Sequence, residues 1–289
     1  MSDTLRRDRA LELIASFAED GREVRDPERR LDDLGFDSLT FAELDAAAGR
    51  DLGVDLGRAH IPLDATVADL LREIDAAGPS RRADAPPAGL GRLQATADAL
   101  GGWAFRWWFD LRVFGADAIP RSGPAVVAMN HESALDIPIT VVACPRRITF
   151  MAKKELFKNA FVSWSLHAMG GFRVDRDRFD MGAVRLALAA IANGDILGVY
   201  PEGTRSPGEM LPFLHGAAWI ALRSGAPLIP CAISGTERAG TATRPGRVRV
   251  EVSFAPPIAV ERIDDPIVRR DRVVGLTAEL RQAIASLLP

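Results

Sequence analysis

The chain has 289 residues, 47% of them hydrophobic, and a net charge of −3, enough apolar material for a sizeable core within a two-domain length. Two cysteines, Cys144 and Cys231, are too few for a disulfide framework and lack metal-ligand spacing with the four histidines, so core thiols, no metal and a reducing cytoplasm are expected. The charged start, Met1 to Arg9, holds no apolar signal segment, and no window reaches 18 uninterrupted apolar residues, so no spanning helix is expected. The modest total hides an asymmetry. Residues 1–79 carry 10 basic against 19 acidic side chains, and residues 80–289 carry 26 against 20. The acidic part suits docking onto basic enzyme surfaces, and the basic part suits phosphate groups or an anionic membrane surface.

In chain order, apolar residues first recur at helical spacing: Leu11, Leu13, Ile14 and Phe17, then Leu39 and Leu44, then Val67, Leu70, Leu71 and Ile74. This pattern predicts a small helical bundle over residues 1–78. Within it lies Leu34-Gly35-Phe36-Asp37-Ser38-Leu39, followed by Phe41-Ala42-Glu43-Leu44 and Thr66-Val67-Ala68-Asp69-Leu70-Leu71. By itself, Asp-Ser before an apolar periodic run is a helix N-cap. Taken together, these segments resemble an acyl carrier protein of four helices. That resemblance implies that Ser38 receives a covalent 4'-phosphopantetheine from a phosphopantetheinyl transferase, and that its thiol holds an acyl chain as a thioester. Capping and attachment need not compete, because a neighbouring residue can cap while Ser38 presents its hydroxyl.

Residues 79–89, within the Pro- and Ala-rich stretch Gly78 to Gly89, have no periodicity and predict a linker. Beyond it, Trp103 to Phe109 concentrates three of the five tryptophans, which suits either an aromatic helix at a membrane interface or rings packed on a sheet. From there short apolar strands alternate with amphipathic helices such as Met181 to Ala192, the pattern of an α/β domain over residues 90–289, with a closing helix near Asp271 to Leu288.

Four blocks in this region bear on chemistry. Asn130-His131-Glu132-Ser133-Ala134-Leu135-Asp136 follows the apolar run Ala125 to Met129, which predicts a buried strand. Residues five apart do not share a helix face, so Asp136 reaches the His131 ring only if a turn folds it back. The carboxylate would then fix the tautomer and leave the other ring nitrogen to accept a hydroxyl proton. Gly170 to Arg176 comes next. Tyr200-Pro201-Glu202-Gly203-Thr204-Arg205-Ser206 follows a second strand-like run, Ile196 to Val199, and Pro227-Leu228-Ile229-Pro230 leads into Cys231. In this order the blocks resemble the motifs of the glycerolipid acyltransferases, the family that acylates lysophosphatidic acid: NHx4D, a GxxFxDR-like segment ending at Asp175 and Arg176, PEGTRS, and the proline-flanked run.

The resemblance implies a mixed sheet flanked by helices. It also implies that His131 is the general base, that Asp136 orients it, that Glu202, Gly203, Thr204 and Arg205 help bind the acceptor, and that Arg176 binds its phosphate. Lys153 and Lys154 are candidates for further charge there. The expected reaction moves an acyl group from a phosphopantetheine thioester to the hydroxyl of a lysophosphatidic acid-like acceptor. The donor would be the chain's own carrier, another acyl carrier or acyl-coenzyme A. About a dozen linker residues reach roughly 40 Å when extended, so delivery within one chain is open. Two alternatives stand beside this one: a tailoring or release enzyme with another alcohol or amine as acceptor, and a non-catalytic carrier and membrane scaffold. A cytoplasmic location, peripheral on the inner face of the membrane, is expected, and no nucleic-acid partner.

Overall fold

The computed structural model describes residues 3–289 apart from 19–20, 22, 58, 60, 63, 80–105, 107, 176–179, 207, 240–247 and 264–269. It divides into two compact units: Met1–Asp84 with Arg173–Leu186 and Asp265–Ile267, and Ala85–Phe172 with Ala187–Asp264 and Val268–Pro289. The expected linker falls almost wholly outside the described residues.

In the first unit, helices α1 (Asp3–Phe17), α2 (Ser38–Asp51) and α3 (Val67–Ala76) and the 3₁₀ turn Glu23–Arg25 close over Ile14, Leu31, Leu34, Leu44, Leu70 and Ile74, all buried. Val67, Leu70, Leu71 and Ile74 of α3 face inward. Its start is fixed by a reciprocal cap: the Thr66 hydroxyl accepts from the Asp69 amide, and the Asp69 carboxylate accepts from the Thr66 amide at 2.8 Å. Asp37 caps α2 by accepting from the Thr40 amide at 2.8 Å, so the residue beside Ser38 performs the cap. Asp45 is buried, which pushes its carboxyl up, and the Arg185 fork beside it opposes that shift while also pairing with Asp55.

The second unit is built on a seven-stranded sheet: β1 (Asp110–Phe114), β2 (Ala125–Met129), β3 (Ile148–Lys153), β4 (Gly171–Val174), β5 (Ile196–Val199), β6 (Leu228–Ser234) and β7 (Arg249–Phe254), in the order β1-β7-β6-β2-β5-β3-β4. β6, β2, β5 and β3 run parallel, and β7 joins β6 antiparallel, so the sheet is mixed as expected. Parallel strands are covered on both faces, which is why β2 and β5 read as unbroken apolar runs. Val127, Met129, Phe150, Ile229, Cys231 and Val252 lie in the core around them. Cys144 also joins that core. Helix α7 (Gly216–Ser224), buried from Ala217 to Leu222, packs on β2 and β6, with α9 (Arg270–Ala285) over it; these follow α4 (Asp136–Ala143), α5 (Ala160–Ala168) and α6 (Met181–Ala192) in the chain, with the short α8 (Thr236–Ala239) between them.

The two ends of the sheet are treated differently. At the strands' N-terminal end the Arg146 guanidinium donates to the carbonyls of Pro120, Gly123 and Gly194 at 2.7–3.0 Å, tying together the approaches to β2, β3 and β5. At the C-terminal end β2 and β5 finish almost level, since Ala128 pairs with Val199, while β6 on the other side of β2 pairs with Met129 through Cys231 and runs on to Ser234. The polar motifs therefore leave the sheet side by side. Of the aromatic segment, the described Trp108 is exposed and Phe109 buried.

Candidate active site

Where β2 ends, Asn130 continues the pairing with its side chain. Its Nδ2 donates to the Ile233 carbonyl and its Oδ1 accepts from the Ile233 amide, each at 2.8 Å, so a buried amide locks the exit of β2 to β6. The next residue is His131. A turn in which the Asp136 amide donates to the Ser133 carbonyl folds the chain back, and Asp136 arrives as the first residue of α4. Its Oδ2 lies 2.7 Å from His131 Nδ1 and accepts from the amides of Glu132 and Ser133 at 2.8 Å. Three donors thus converge on one oxygen of a fully buried carboxylate. That arrangement aims Nδ1–H at the carboxylate and leaves Nε2 to accept a proton.

The ring is held from another side by Tyr200. The two rings stack with centroids 4.2 Å apart and planes 28° from parallel, and Tyr200 in turn faces Phe150 at 6.1 Å. Gly198 makes this layer possible, because a Cβ there would lie 2.4 Å from the Phe150 ring. Burial pushes the Tyr200 phenol well up, so it stays neutral beside the imidazole.

The loop after β5 is bound to the same turn. Glu202 Oε1 accepts from the His131 amide at 2.8 Å; Oε2 accepts from the Ser206 hydroxyl and from the Leu211 amide at 2.9 Å; and the Ser206 amide donates to the His131 carbonyl at 2.8 Å. Glu202 is 6% exposed, with both oxygens committed to protein donors. Gly203 turns the loop beside it, and Thr204 and Arg205 are exposed at its tip. Lys153 and Lys154 sit at the C-terminal end of β3, the neighbour of β5, and both approach Glu155, at 3.7 and 3.9 Å. Arg176 lies outside the described residues.

The structure adds a group that the sequence blocks do not include. Beyond β6 the chain turns at Gly235 into α8, where the Thr236 hydroxyl donates to Asp136 Oδ1 at 2.5 Å. Glu237 follows and lies against Glu132. Burial, then Glu237, then the carboxylates of Asp136 and Glu202 push the Glu132 carboxyl up to about 8. The available signal was position alone: Ser234-Gly235-Thr236 ends the strand next to β2, as Asn130 and Tyr200 end theirs. Among the described residues no cluster of His, Cys, Asp and Glu could hold a metal, and no helix is long and apolar enough to cross a membrane.

Chemically, a carboxylate-held histidine at the carboxyl ends of parallel strands is equipped to take a proton from a hydroxyl brought to Nε2. Residues 110–234 match the family model described as "Acyltransferase", and residues 8–74 match the "Phosphopantetheine attachment site" model. The chain is 29% identical to a 1-acyl-sn-glycerol-3-phosphate acyltransferase of Bacillus subtilis, over 61% of this chain and 87% of that one. It is 33% identical to the alpha form of mouse, over 61% of this chain and 63% of the relative. The crystal structure of the 1-acyl-sn-glycerophosphate (LPA) acyltransferase PlsC from Thermotoga maritima superposes with a TM-score of 0.52 at 26% identity, covering 68% of this chain and 79% of that one. The chain therefore joins a region matching a phosphopantetheine-attachment model to a region that matches an acyltransferase model and is similar to 1-acyl-sn-glycerol-3-phosphate acyltransferases.

Proposed function

We propose that this chain transfers a fatty acyl group from a thioester donor to the free hydroxyl of a lysophosphatidic acid-like acceptor, with His131 as general base and Asp136 orienting it. The observation that carries the reading is the 2.7 Å contact between His131 Nδ1 and a carboxylate already held by two backbone amides. His131 Nε2 takes the hydroxyl proton as the acceptor oxygen bonds to the thioester carbonyl carbon. The carbon–sulfur bond then breaks, and the leaving thiolate takes the proton back from the imidazolium. A thiol leaves readily, so no acyl-enzyme is needed.

Glu202 acts in this scheme through the His131 main chain and the loop that bears Arg205, whose exposed guanidinium suits an acceptor phosphate. Arg176, Lys153 and Lys154 complete the proposed phosphate environment. Ser38 opens α2 with the cap assigned to Asp37, which fits attachment of 4'-phosphopantetheine by a phosphopantetheinyl transferase. That group, when bound, supplies the thiol that carries the acyl chain. In this reading residues 1–78 are the carrier, 79–89 the linker and 90–289 the transferase, and the tether raises the donor to an effective concentration on the order of millimolar. A peripheral place on the inner face of a membrane belongs to the same reading, supported by exposed Leu156 and Trp164 close in sequence to exposed Lys153 and Lys158.

The test is transfer from acyl-coenzyme A, or from the chain's own loaded carrier, to 1-acylglycerol-3-phosphate. His131→Ala should lower the rate by roughly 10²- to 10⁴-fold with the fold intact. Undiminished transfer by His131→Ala would remove the base assignment, and transfer only to other alcohols or amines would remove the acceptor.

A further inference from the structure

We propose that Thr236 is a positioning residue of the catalytic dyad, a role that rests on the reading of His131 and Asp136 above. Asp136 is wholly buried, and its two oxygens are served differently. Oδ2 receives His131 Nδ1 and two amides from the same turn, whereas Oδ1 receives the Thr236 hydroxyl at 2.5 Å, from a residue 100 positions away in sequence. Thr236 is itself wholly buried and sits in the turn that follows β6.

A carboxylate bound through one oxygen alone is free to turn about its last bond, and the ring it holds turns with it. A donor on the second oxygen fixes the plane. Removing that donor leaves Oδ1 buried without a partner. The group then regains a partner by rotating away from His131 or by taking up a proton, and either loosens the imidazole. The backbone guarantees the placement. Gly235 has φ +87°, and a Cβ there would lie 2.2 Å from the Arg249 carbonyl oxygen, so the turn admits only glycine and delivers Thr236 to one spot. Asn130 reinforces it by locking Ile233, three residues earlier, to the exit of β2. The ends of β2 and β6 thus act as one frame, with Asp136 clamped between the histidine and the threonine.

The experiment uses the full chain and the thioester donor that the native chain turns over, with 1-acylglycerol-3-phosphate as acceptor. Thr236→Val keeps the shape and deletes the hydroxyl. It should lower kcat by roughly 10- to 100-fold with KM within about twofold, while Thr236→Ser, which restores the donor, should hold kcat within about threefold. The Nδ1 proton of His131, followed by NMR, should shift in the Val variant and keep its native position in the Ser variant. If Val proves too disruptive to fold, Thr236→Ala is read in its place against Ser. A Val or Ala variant with native kcat, or a Ser variant as slow as either, overturns the proposal, as does a change in KM alone. His131→Ala in the same assay separates the two readings: if it remains active the dyad itself fails, and if it is inactive while Thr236→Val is native, only the role of Thr236 fails.

Discussion

Glu132 and Glu237 form an acidic pair beside the dyad whose shared proton gives the site a pH signature. Burial and the neighbouring carboxylate of Glu237 hold Glu132 up near 8, against about 4.3 in an unfolded chain. Below about pH 4 both states are protonated and the shift has no effect on stability. Between about pH 4 and about pH 8 the folded state keeps a proton that the unfolded chain has lost, so stability falls as pH rises through that window and levels off above it. Glu237 is pushed up by burial, but its hydrogen bond with Glu132 outweighs that and holds it below the usual range, so its own contribution is constant above about pH 6. Glu132→Gln should therefore match the native chain near pH 4, exceed its Tm increasingly from there to about pH 8 and keep a constant margin above that, as followed by thermal denaturation at several pH values. A pH-independent difference would mean that the pair does not share a proton. Gly235→Ala should be costly in its own right, losing about 1–3 kcal/mol to the left-handed backbone and more to the Arg249 carbonyl, as measured by denaturant titration.

The elements that build the site are short and end where their chemistry starts. β2 and β5 close within one residue of each other and β6 runs three residues past its pairing with Met129, and each is followed at once by the group that matters: Asn130-His131, Tyr200-Pro201-Glu202 and Gly235-Thr236. Much of this was legible in the sequence. The runs Ala125 to Met129 and Ile196 to Val199 are β2 and β5 residue for residue, and Met181 to Ala192 is a helix, because unbroken apolar runs and 3.6-residue spacing are direct consequences of burial on two faces or on one. The fold-back of Asp136 onto His131 was legible as a geometric requirement. Thr236 was not, because its importance depends on β6 lying beside β2, a long-range pairing that no local pattern encodes. Glu202 was legible as a group at the site, but its attachment to the His131 amide was not, since an acidic loop residue looks the same whether it meets a ligand or a backbone. In the first unit the Thr66 and Asp69 cap was equally local. Thr66→Ala should destabilise that unit by about 1 kcal/mol, read by its urea midpoint, with no effect on transfer from acyl-coenzyme A.

At the scale of the whole molecule, an acidic phosphopantetheine-attachment domain and a more basic acyltransferase domain share one polypeptide. If the tether is what matters, the acyl group held at Ser38 reaches His131 without release, and separating the two domains at micromolar concentration should slow transfer from the carrier by an order of magnitude or more while leaving transfer from acyl-coenzyme A untouched. Equal rates for joined and separated domains would remove the advantage of fusion. The most direct measurement of the account is intact mass spectrometry of the full chain, loaded with an acyl-phosphopantetheine on Ser38, as excess 1-acylglycerol-3-phosphate is added. The account predicts that the acyl mass leaves the native chain and appears as diacyl lipid, and that it stays on the His131→Ala chain. Acyl mass that persists on the native chain, or that departs equally fast without His131, would contradict it.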